Sequence, residues 1–301
     1  MGGRGDKDRR SENVEGSLFV DNSCINCDTC RWMAPETFDF IGGMSAVSRQ
    51  PAPGSAEHDR ALAAMVSCPT GSIRAESPPA GMAQVVASFP RQMTEAPDVY
   101  HCGYHDAKSF GAASYLLVRP SGNVLVDAPR FNSALAKRIA ARGAPTQMFI
   151  THSHDCADHA KWRAAFPGME RVVHAREIGG YGAGRSLDEC ERILHGEGPW
   201  ELEGGGTLIL QPGHTPGGLC LHYEGVLLTG DHLAVTRREG HLAGFPRYAQ
   251  DWREQVASTE AMFAARRFRA VLPGHGRPLV LDSEEAMEEQ KRLCLAWMRA
   301  Q

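Results

Sequence analysis

The stretch Thr151-His152-Ser153-His154-Asp155-Cys156-Ala157-Asp158-His159 constrains this chain more than any other. It follows the apolar run Gln147-Met148-Phe149-Ile150, which reads as a short buried strand. A helix is expected over residues 157–166, stopped by Pro167-Gly168. The polar cluster therefore sits at a strand-to-helix turn. Neutral imidazoles and carboxylates there offer lone pairs that suit Zn²⁺ or Fe. A histidine-rich polar loop without metal is the competing reading.

The arrangement recurs downstream. An apolar stretch at 207–210 leads into Gln211-Pro212-Gly213-His214-Thr215-Pro216-Gly217-Gly218. A hairpin over 219–229, turning at Glu224-Gly225, ends in Gly230-Asp231-His232. A strand at 270–272 ends in Pro273-Gly274-His275-Gly276, and an earlier hairpin over 114–126 ends in Asp127. Strand ends are fixed by their sheet, and glycines let the backbone pass close to a common centre. Helices are expected over 133–142 behind an Asn132 cap, and over 186–195 behind the capping box Ser186-Leu187-Asp188-Glu189. Two more are expected, over 250–268 and from Asp282 to the end.

Near the N-terminus stand Cys24-x-x-Cys27-x-x-Cys30 and, further on, Cys68-Pro69. Three thiolates at successive three-residue steps wrap the chain round one compact object, and a distant fourth closes the cage. This spacing suits a cubane iron–sulfur cluster, whereas structural zinc prefers two separate cysteine pairs. The cluster carries electrons or staples a domain too small to hold itself together. The chain has nine cysteines, an odd number, and four have metal-type spacing, so a reducing cytoplasm fits better than a disulfide framework. A charge of −4 argues against nucleic acid as a partner. No apolar run approaches the ~20 residues that would cross a membrane. Residues 1–14 read as a disordered tail, 15–76 as the cluster domain, 77–97 as a proline-rich linker and 98–301 as the second domain. A small-molecule substrate and a redox partner protein are the expected partners.

Residues 15–76 resemble the single-cluster bacterial ferredoxins, small α+β domains. The resemblance implies that Cys24, Cys27, Cys30 and Cys68 ligate one [4Fe–4S] cluster. Residues 98–285 resemble the metallo-β-lactamase-fold superfamily through the Asp127 hairpin, THSHDCADH, PGHTPGG, TGD and PGHG. The implied fold is an α/β αββα sandwich with a glyoxalase-II-like site for two divalent metals, zinc or alternatively iron. His152, His154 and His214 would hold the first metal. Asp158, His159 and His275 would hold the second, and Asp231 would bridge the two. The family's loop reads His-x-His-x-Asp-His, whereas here two extra residues precede Asp158-His159. A bulged loop would still deliver both, and Asp155 in place of Asp158 is the alternative.

The implied activity is hydrolysis of an ester, thioester, lactone or similar bond by a metal-bound hydroxide, with Asp158 or Asp231 as catalytic carboxylate. The cluster domain would then serve electron transfer or regulation. The alternative is an oxidoreductase whose iron-loaded site is fed by the cluster. Residues 179–199 and 237–248, with Arg185, Arg237, Arg238 and Tyr248, are expected to line the substrate pocket. His101 and His105 are expected to be surface or structural, Cys156 a packed thiol, and His232 a support behind the ligands.

Overall fold

The computed structural model describes residues 8–94, 96–179 and 186–301. Two sheets lie face to face with helices outside. The first runs Arg192–Leu194, Glu170–His174, Pro145–Phe149, Asn123–Val126, Tyr115–Leu117, Ala96–His101, Arg91–Met93 in spatial order. The second runs Trp200–Glu201, Thr207–Leu210, Leu219–Tyr223, Val226–Gly230, Ala270–Pro273, Leu279–Val280.

The layering follows from strand periodicity. In Asn123–Val126, Val124 and Val126 point between the sheets while Leu125 points outward beneath the helices. In Val226–Gly230, Val226 and Leu228 face inward and Leu227 joins an outer cluster with Phe263, Met287 and Met298. Alternation with both faces buried gives continuous apolar runs, as expected for covered sheets. Glu224 and Gly225 both take left-handed φ, 46° and 78°, in the hairpin turn read from the sequence. Asn132 caps Ser133–Ala140 by accepting from the Leu135 amide, also as expected.

Several expectations give way. Residues 186–195 form a short 3₁₀ turn, Leu187–Glu189, and a strand, Arg192–Leu194, not a helix. Ser186 is left-handed without a cap bond, and Arg192-Ile193-Leu194 pairs in parallel with Val172-Val173-His174. Sheet pairing overrides the local capping signal. The last helix, Glu284–Arg299, is capped by Ser283 and not by Asp282.

The segment read as a linker is built into the fold. Met82–Ser88 is a helix and Arg91–Met93 is the edge strand of the first sheet. Of the expected tail, residues 1–7 lie outside the described residues, but 8–14 are held. Arg10 is buried, its guanidinium donating to the carbonyls of Ser45 and Ile41.

The N-terminal domain pairs Leu18–Val20 with Ile73–Ala75 and Phe38–Ile41 with Met44–Val47. Its helix Ala56–Ser67 packs one face on its own core, through Ala61 and Ala64, and the other on the second domain. Leu62 and Ala63 join Leu116, Leu125, Ile139 and Phe89 in one continuous apolar cluster. No described helix is long and apolar enough to cross a membrane.

Candidate metal centre and cluster cradle

The ligand-type side chains converge at one end of the facing sheets. Backbone bonds between strand ends hold them in register. Leu219 N–H donates to Thr151 O at 2.9 Å, Ala113 N–H to Gly274 O at 2.8 Å, and Gly274 N–H to Gly230 O at 2.8 Å. His152, His154 and His214 bring one ring nitrogen each within 4.8 Å of one another. His152, Asp155 and Asp231 form a second such group. Asp231 Oδ1 lies 2.7 Å from His275 Nδ1, and its Oδ2 lies 3.6 Å from His152 Nε2 and 3.7 Å from His214 Nε2.

The donors suit a metal. Thr151 donates its hydroxyl to the Asp127 carboxylate at 2.9 Å, so it accepts from His152 Nδ1–H, also at 2.9 Å. This relay fixes the tautomer and turns the Nε2 lone pair inward, the support that metal-bound histidines receive. His275 repeats the device. Nε2–H donates to the Phe110 carbonyl at 3.4 Å, leaving Nδ1 facing Asp231. His152 Nε2 and both ring nitrogens of His214 are buried with no hydrogen-bond partner among the described residues. Buried ring nitrogens left without a partner are costly unless something fills them. Beside His152 and His214 lies a cavity of about 10 Å³.

The electrostatics agree. Burial disfavours a charged His152, yet Asp155 and Asp231 raise its pKa to about 10. His275 is raised to about 9, burial opposing and Asp231 favouring the proton. Burial likewise works against the Asp231 charge, but His275 and His152 hold its carboxyl well below the usual range. Carboxylates thus hold two imidazoles in their charged form, and a bound cation would take the place of those protons.

The structure separates the two aspartates of the loop. Asp155, 1% exposed, points inward, and a side chain at Gly274 would meet both its Oδ2 and Asp231 Oδ1 at 2.9 Å. Asp158 sits left-handed (φ 58°) at the start of the helix His159–Ala165. Its carboxylate accepts from the Phe131 amide at 2.9 Å and pairs with Lys161 at 2.8 Å, outside both ligand groups. His159 is buried, its Nδ1 3.1 Å from the Arg171 guanidinium, and it belongs to neither ligand group. The two extra residues carry the chain round a turn into the helix, and Asp155 stands where Asp158 was expected.

The sequence reading did not single out Glu177, which the structure places between the two histidine loops. It accepts from the Ser153 and Gly217 amides, each at 2.8 Å, and so ties the first histidine loop to the loop carrying His214. Its signal was there: it follows the strand Glu170–His174. His232 is buried, its Nε2 2.8 Å from the Thr259 hydroxyl. Arg237 pairs with Asp39 of the N-terminal domain at 2.6 Å, and Arg185 lies outside the described residues.

Cys24, Cys27, Cys30 and Cys68 line one cavity with Val20, Ser45 and Ile73. Burial pushes the Cys27 thiol up to about 11 and Cys30 higher still, so thiolates here call for a metal partner. Residues 22–28 leave Cys24 and Cys27 partly exposed, while Cys30 and Cys68 are buried. His101 and His105 are also buried, not at the surface, with their Nε2 atoms 2.8 Å apart at the junction of the domains.

The chain matches the family model of the metallo-beta-lactamase superfamily over residues 109–275. It matches that of the 4Fe-4S single cluster domain of Ferredoxin I over residues 20–75. A hydroxyacylglutathione hydrolase of Anaeromyxobacter dehalogenans (strain 2CP-C) is 35% identical over 134 residues, 42% of this chain and 49% of that protein. The chain therefore spans about half the length of that curated relative. Among solved structures, TMB-1 is 16% identical, with 63% of this chain and 87% of that chain covered, at a TM-score of 0.49. The BLEG-1 B3 metallo-beta-lactamase is 18% identical, covering 65% and 99%, also at 0.49.

Proposed function

Because the chain belongs to the metallo-β-lactamase superfamily and carries a single-cluster 4Fe-4S domain ahead of it, we propose that it is a metal-dependent hydrolase of an ester, thioester or lactone. The observation that carries this reading is the convergence of one ring nitrogen each from His152, His154 and His214 within 4.8 Å, beside a second group formed by His152, Asp155 and Asp231. We assign His152, His154 and His214 to one cation, Asp155 and His275 to a second, and Asp231 to both. Bound there, divalent cations, zinc first, would lower the pKa of a water toward neutrality and polarise a substrate carbonyl.

The chain's own groups supply the rest. Asp155 and Asp231 would orient a water and accept its proton. Glu177 and the Asp127–Thr151 relay hold the histidines still. Two exposed large apolar side chains stand on segments that touch the ligand loops. Phe110, 52% exposed, stands beside His275. Tyr248, 70% exposed, lies two residues before Gln250, whose amide donates to His214 O. They would grip an apolar acyl or aryl portion of the substrate. The relative named above is a hydroxyacylglutathione hydrolase, which favours a thioester among these bonds.

A panel of chromogenic esters, thioesters and lactones tests the proposal. Turnover should vanish with chelator, return with Zn²⁺, and fall on the order of 10²–10⁴-fold in Asp231→Ala. No turnover of any of them by protein loaded with zinc in both sites would end it. A redox enzyme is the second reading, favoured by the packing of Cys27 against the loop that carries Phe110. Iron in both sites after anaerobic purification, with no hydrolysis, would select it.

A further inference from the structure

We propose that the Phe110–Gly111 turn couples the cluster to the metal pocket, so that cations beside His275 raise the cluster's reduction potential. This rests on the reading that the pocket binds divalent cations. The turn is shared by both sites. On the cluster side, Gly111 lies against Cys27. A Cβ at residue 111 would stand 2.8 Å from Cys27 Cβ and 3.0 Å from its Sγ, and φ of +87° already demands glycine. The Gly111 carbonyl accepts from His105 Nδ1–H at 2.7 Å and from the Thr29 hydroxyl at 3.3 Å. On the pocket side, the carbonyl of the preceding residue, Phe110, is the partner of His275 Nε2–H.

One peptide unit thus separates the contact with a cluster cysteine from the contact with a metal-site histidine. Ordinary bond lengths then keep Cys27 Sγ and His275 Nε2 within about 11 Å of each other. Reduction makes the cluster one charge more negative, and cations at this separation, about one Debye length at physiological salt, favour that state with only partial screening. Cluster potentials follow nearby charge and hydrogen bonding. Linkage makes the effect mutual, so reduction of the cluster must tighten cation binding by the same factor.

The experiment uses the full chain with its cluster assembled. Its pocket is stripped by chelator and then refilled with Zn²⁺, with zinc and cluster content both measured. The midpoint potential is followed by EPR-monitored redox titration. Zinc should move it to more positive values. Phe110→Gly accepts the left-handed backbone at residue 110 (φ 49°) and frees the turn, so the zinc shift should shrink at least by half. Equal potentials with and without zinc, at full occupancy of both sites, would overturn the coupling. An undiminished shift in Phe110→Gly would overturn the turn as its route. Should that variant lose its cluster, Co²⁺ in the unaltered protein decides: it must shorten the relaxation of the reduced cluster's signal relative to Zn²⁺. Unchanged relaxation would sink the proposal. Failure to take up any cation would remove the hydrolase reading along with it.

Discussion

Asp155 and Asp158 stand three positions apart in one loop and do different work. Asp155 is buried against Gly274 and Asp231, while Asp158 is spent on the Phe131 amide and Lys161. Asp155→Asn should therefore lose a metal equivalent by elemental analysis, and Asp158→Asn should keep both. The opposite result would restore the bulged-loop assignment. Thr151→Val, which cuts the relay from Asp127 to His152, should weaken metal binding about 10–100-fold in competition with a chromogenic chelator. The residue types were legible, because histidine and aspartate at a strand end announce themselves. Which aspartate turns inward was not, since two inserted residues leave the loop's winding undetermined until the helix start is placed. Glu177 escaped for a similar reason. Its partners, the Ser153 and Gly217 amides, come together only when two loops meet.

At the level of elements, strands with clear alternation and turns with glycine were read with nearly their true ends, as in Thr207–Leu210 and the hairpin turning at Glu224-Gly225. Pairing between distant strands is what local pattern cannot carry, hence the lost helix at residues 186–195. The junction holding His101 and His105 was likewise invisible. Their neighbours come from two distant segments, Thr29 and Trp32 from the helix Thr29–Met33 and Gly111 from the turn far downstream. Burial pushes His105 down to about 3, and His101 falls well below its ordinary value for the same cause. In the unfolded chain both would titrate near 6.5, so on acidification it takes up protons that the fold refuses. Stability should thus fall as pH drops from about 6.5 toward 3. Thermal melts across that window should show a falling Tm, with a shallower slope in a His101→Asn, His105→Asn double variant. An unchanged slope would show that the pair does not contribute.

Across the whole molecule, the two domains share one apolar interior through Leu62, Ala63 and Phe89. The sequence showed two modules joined by a proline-rich segment, but composition alone does not reveal a helix that serves two cores. Leu62→Ala should cost about 2–5 kcal/mol and lower a single calorimetric transition. Two separated transitions in the unaltered protein would contradict a common interior.

The edge strand Arg91–Met93 comes from the segment that joins the modules, and it pairs with Ala96–His101. The border between the units thus runs through hydrogen-bonded sheet and not through slack chain. A fragment begun after residue 95 would bare the Ala96–His101 strand and invite other copies to stack on it. The joining segment is in that sense a lateral cover for the larger domain and not a tether between two beads.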